Sequence, residues 1–93
     1  MKNPVTMYEE NGQIKFKVSN RTVNAVARDL ASMFPVPISW EMIAKCLRGE
    51  AEEECDADFT WQLLEFLEDD RFDKYDGMAM NIMLENLLHI DGM

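Results

Sequence analysis

A chain of 93 residues with 47% hydrophobic side chains forms one small domain with a core, which excludes a wholly disordered acidic tail. Its formal net charge of −9 excludes nucleic-acid binding by the surface as a whole, because phosphates repel it. The same charge favours fast association with basic surfaces.

Met1 to Glu10 lacks the apolar core of a secretory signal. No run approaches about 18 apolar residues, so the chain is expected in the cytoplasm and off the membrane. Cys46 and Cys55 do not form a CxxC pair. Two reduced thiols are the simple expectation for a cytosolic protein, with a short-loop disulfide as the alternative.

Taken in order, the first element is a β-hairpin over residues 5–18. Asn11-Gly12 is the preferred pair for a two-residue type I′ turn. That turn sets Val5 opposite Val18, Met7 opposite Phe16 and Glu9 opposite Ile14 on one face. Thr6 opposite Lys17 and Tyr8 opposite Lys15 make the other. Two strands alone are marginally stable, so the first face is expected to meet the helices and the basic, tyrosine-bearing face to meet solvent.

Ser19 or Asn20 then caps a helix whose stripe is Val23, Val26, Ala27, Leu30 and Phe34. Pro35 and Pro37 end it near Met33 or Phe34. Ser39 caps a second helix, with Ile38 and Ile43 as a hydrophobic staple, Ala44 and Leu47 continuing the stripe, and Gly49 at C′. Residues 50–57 read as a loop or frayed turn, since four acids within five positions repel one another. Asp56 or Asp58 caps a third helix running to about Glu68, with Phe59, Leu63, Phe66 and Leu67 buried. Residues 69–76 form a charged turn, and Asp76 caps a last helix with Met80, Met83, Leu84, Leu87 and Leu88 on its apolar side. Asp91-Gly92 ends it. The result is an α+β single domain over residues 1–93, an N-terminal hairpin followed by about four short helices in residues 20–93.

Charge is segregated along this order. Residues 1–48 hold seven basic and four acidic side chains, a balance of +3; residues 49–93 hold two basic against fourteen acidic, a balance of −12. Glu50, Glu52, Glu53, Glu54, Asp56 and Asp58 lie before the apolar run Phe59 to Leu67, and Glu68, Asp69, Asp70, Asp73 and Asp76 lie after it. Such a surface suits a cationic partner. Trp61, Phe72 and Tyr75 beside the acids are candidate aromatic anchors.

Other chemistries find less in the sequence. His89, the single histidine, has no nucleophile or orienting group marked out for it, and there is no P-loop or GxGxxG. Residues 69–77 do not match a calcium loop: with Gly77 at position 6, position 12 falls on Met83. Cys46, Cys55 and His89 lack zinc spacing. The helices around Phe34-Pro35-Val36-Pro37 look superficially like a helix-turn-helix, yet two prolines occupy the join. No catalytic residue, metal or cofactor is therefore expected.

In size, charge and lack of catalytic residues the chain is similar to the small acidic inhibitors that phages and mobile elements direct at host nucleases, and to bacterial immunity proteins. That resemblance implies a non-enzymatic binding protein. It would occlude the basic nucleic-acid-binding surface of a host defence enzyme, of restriction or CRISPR type, by mimicking nucleic acid without touching it. The alternative is an assembly subunit, a homo-oligomer in which the basic half of one copy meets the acidic half of another. A weaker alternative is a DNA-binding regulator using the basic N-terminal half.

Overall fold

Asn11 and Gly12 take φ values of 53° and 77°, the positive values a type I′ turn demands, and fold β1 (Val5–Glu10) back on β2 (Gln13–Val18). The register is the expected one, from Glu10 opposite Gln13 at the turn to Val5 opposite Val18 at the base. The structure, a computed structural model, describes residues 3–50 and 55–91, with side chains to His89.

Four helices follow, and side-chain caps set their starts. The Ser19 hydroxyl accepts the Thr22 N–H at 3.3 Å and opens α1 (Asn20–Met33). Ser39 accepts the Met42 N–H at 3.4 Å and opens α2 (Trp40–Leu47). Gly49, at φ 75°, ends α2 in the left-handed region that glycine enters without strain. Asp56 caps α3 (Ala57–Phe66), and Asp76 bonds the Ala79 N–H at the start of α4 (Gly77–Asp91). The stretch expected as a charged turn holds a 3₁₀ helix, Asp70–Lys74, which turns the buried Phe72 inward. The expected α+β order is otherwise present. Of the residues read as loop, 51–54 lie outside the described residues, and Cys55 and Asp56 belong to neither helix nor strand.

The core is helical. It combines Val23, Val26 and Leu30 of α1 with Ile43 and Leu47 of α2, Leu63 of α3, and Met83 and Leu87 of α4. Phe34, just past α1, stacks on Phe59 at 5.5 Å and meets Phe66 edge-on at 5.0 Å, which ties α1 to α3. Two stripes differ from expectation. In α3 the small Thr60 is fully buried while Phe59 and Phe66 are half-buried. In α4 the buried line is Ala79, Met83 and Leu87, so the helix is rotated and Leu88 is exposed. Thr60 and Ala79, both fully buried, occupy those places.

Two expectations are corrected outright. The apolar face of the hairpin does not meet the core. Only Val5 and Val18 at its base are buried, while Met7, Ile14 and Phe16 are 63%, 62% and 46% exposed. The helices cover one another, α1 on α2, α3 on α4 and α2 on α4, which leaves β2 resting chiefly on α4 at the hairpin base. Cys46 and Cys55 are not free thiols either. They are joined in a disulfide with a Cα–Cα separation of 6.3 Å, both buried. The thiol argument for a reducing compartment falls with that pairing.

Candidate functional site

Several acids of the 49–77 stretch are structural. Asp56 accepts the Phe59 N–H at 2.8 Å, Asp69 the Arg71 N–H at 2.9 Å and Asp76 the Ala79 N–H at 3.0 Å. Each satisfies a donor left open at a helix start. The bond from the Arg71 backbone, helped by its guanidinium, holds the Asp69 carboxyl below its ordinary pKa. Glu50 pairs with Arg48 at 3.2 Å. Glu52, Glu53 and Glu54 lie outside the described residues.

The remaining acids are presented to solvent. Asp58, Trp61, Glu65 and Glu68 are all exposed and recur at helical spacing on one face of α3 and its extension. From Asp58 to Glu65 the helix rises only about 10 Å. Asp70 and Asp73 are exposed on the 3₁₀ helix that follows, and neither has a cationic partner among the described residues. Trp61 is 59% exposed in the middle of this carboxylate row. Its ring has the size and rigidity of an interface anchor. Glu65 belongs to this face and was not among the residues singled out from the clusters. The i, i+3, i+7 spacing from Asp58 was the signal that could have found it.

Two other aromatic candidates serve the fold. Phe72 is buried in the core and offers a partner no surface. Tyr75 is half-buried and donates its hydroxyl to Asp29 Oδ2 at 2.6 Å, fixing the 3₁₀ segment to α1. Lys74 reaches the same oxygen at 3.1 Å. Burial opposes ionisation of Asp29, but the bonds from Tyr75 and Lys74 outweigh it and hold the carboxyl below its ordinary value. Burial, and then the neighbouring Asp29 charge, push the Tyr75 phenol up.

The N-terminal cations are partly engaged. Lys15 pairs with Glu10 at 3.3 Å, and the Arg28 guanidinium lies 4.5 Å from the Trp40 ring centre. His89 is exposed near the end of α4. Among the described residues no helix is long and apolar enough to cross a membrane, and no cluster of three or more His, Cys, Asp or Glu side chains could hold a metal ion.

Comparison of the chain with protein-family models, with curated proteins and with solved structures gave no match.

Proposed function

We propose that this is a non-enzymatic acidic binding protein whose α3 face engages the basic, nucleic-acid-binding surface of another protein and blocks it. The observation that carries this reading is the exposed row Asp58, Trp61, Glu65 and Glu68, continued by Asp70 and Asp73 without counter-cations among the described residues. Carboxylates on adjacent helical turns stand about 5–6 Å apart, a spacing broadly comparable to the dense charge along a duplex. Lys and Arg side chains that grip phosphates would pair with them, and Trp61 would supply the apolar anchor. A small host defence enzyme inhibitor of phage or mobile-element type is the most concrete form of this function.

The assembly alternative has less support. The hairpin carries Glu9 and Glu10 beside Lys15 and Lys17, so it is neutral as a unit. A DNA-reading role for the N-terminal half has less support for a similar reason, since Lys15 and Arg28 already have partners.

The test is charge reversal at the acids that do not cap helices. Glu65→Lys and Glu68→Lys place cations at the C-terminal end of α3, where the helix dipole favours them, so the fold is expected to survive. Immobilised wild-type protein should retain a basic host protein that duplex DNA displaces, and the Glu65→Lys/Glu68→Lys variant should not. Equal retention by the reversed variant, or retention indifferent to DNA, would contradict the reading.

A further inference from the structure

A cleft of about 520 Å³ lies between the hairpin and α4. That is within the roughly 300–1,000 Å³ that small-molecule sites occupy. Part of its lining is apolar: Val18, Val23 and Leu47 are buried side chains that border it, and Ile82 of α4 is half-buried there. Polar groups come from both sides. Tyr8, Lys15 and Lys17 share one face of the hairpin and line the cleft from that side. Glu85 and Asn86 line it from α4, and Arg48 and Glu50 from just past α2.

Most of these charges are already engaged. Lys15 pairs with Glu10 at 3.3 Å, and Arg48 pairs with Glu50 at 3.2 Å. Lys17 on the hairpin and Glu85 on α4 have no ion-pair partner among the described residues. Asn86 adds a fixed acceptor beside Glu85. Its Nδ2 donates to the Leu47 carbonyl at 2.8 Å, and because a carbonyl only accepts, that bond sets the orientation of the amide. Its Oδ1 keeps its acceptor capacity. The cleft therefore combines apolar surface with one open cation and one open anion, carried by different elements.

We propose that this cleft binds a small zwitterion with an apolar body, of the size of a dipeptide with both termini free. The carboxylate of such a ligand meets Lys17 and the Tyr8 hydroxyl. Its ammonium meets Glu85 and Asn86 Oδ1, and its side chains cover Val18, Val23, Leu47 and Ile82. Both termini are charged at neutral pH. Two extended residues span roughly 7 Å, which separates the charges toward the two sides, whereas a single amino acid carries both on one carbon. An anion alone leaves Glu85 unanswered and a cation alone leaves Lys17 so. This site is separate from the α3 acid row, and its test uses different residues.

The probe is the dipeptide Leu-Leu, followed by calorimetry and by amide chemical shifts of the protein. Saturable binding that shifts the Lys17 and Glu85 resonances is expected. N-acetyl-Leu-Leu, without the ammonium, and Leu-Leu amide, without the carboxylate, should each bind about tenfold more weakly. Gly-Gly should bind more weakly still, because it leaves the apolar lining uncovered. The variants Lys17→Gln and Glu85→Gln assign the two ends. Lys17→Gln should bind Leu-Leu and its amide equally, and Glu85→Gln should bind Leu-Leu and its acetyl form equally. A merely structural loss would weaken all the peptides alike. No saturable binding of Leu-Leu, equal binding of either blocked peptide or of Gly-Gly by the wild type, or variants that discriminate as the wild type does, would overturn the proposal.

Discussion

The hairpin and the helical body carry the same kind of sequence signal and come to different ends. Both segregate apolar residues onto one face, the hairpin with period two and the helices with a period near 3.6. The helices bury theirs against one another. The hairpin buries only Val5 and Val18 at its base and holds Met7, Ile14 and Phe16 in solvent. Periodicity thus dictates conformation and sidedness, whereas coverage depends on which faces pack against one another. Four helices that cover one another leave β2 resting chiefly on α4.

Stability should follow that division. Leu63→Ala, in the middle of the fully buried helical core, is expected to cost about 3 kcal/mol, and Ile14→Ala on the projecting hairpin under about 0.5 kcal/mol. Urea unfolding of the two variants measures the difference, and comparable losses would mean that the hairpin is covered in solution. The next effect belongs to the disulfide. Its partners are nine residues apart, so replacing both by serine should lower stability by about 2–3 kcal/mol in the loop-entropy estimate. A thiol reductant should shift the urea midpoint of the wild type in the same direction and leave the double variant unmoved.

A smaller effect tests how the 3₁₀ helix is held to α1. Tyr75→Phe removes the hydrogen bond to the Asp29 carboxylate and should cost about 1–2 kcal/mol near neutral pH. Because the folded pKa of Asp29 is lowered, its contribution is present above the ordinary carboxylate range and is lost as pH falls through the folded value. The gap between wild type and Tyr75→Phe should therefore narrow on acidification below about pH 4. On the alkaline side the raised phenol pKa works in the other direction. The stability it reflects is complete below about pH 10 and declines as pH rises further, in the wild type alone. The smallest effect divides the acids of the candidate face by role. Asp56→Ala should cost about 1 kcal/mol because it uncaps α3, while Glu65→Ala should be near neutral in thermal unfolding.

The legible parts of the fold were those decided locally. Asn11-Gly12 fixed the hairpin register, and Ser19, Ser39, Asp56 and Asp76 marked helix starts that the structure places within a residue of expectation. Contacts between distant segments were not legible in this way. The rotation of α4 onto Ala79, the burial of Thr60 and the joining of Cys46 to Cys55 each depend on how closely two elements approach. The candidate face was half legible. Composition marked the acids, but it did not separate Asp56, Asp69 and Asp76, which hold helix starts, from Asp58, Glu65 and Glu68, which face solvent. Nor did it send Phe72 to the core while leaving Trp61 outside.

The central claim is that the acidic row on α3 is open to a foreign basic surface and is not satisfied by the chain's own basic half. Light scattering coupled to size-exclusion chromatography, at about 50 mM and about 500 mM salt with no partner added, tests it most directly. The account predicts a monomer of 10.8 kDa at both salts. An oligomer at low salt that dissociates at high salt would contradict it, because the two charged halves would then be meeting each other.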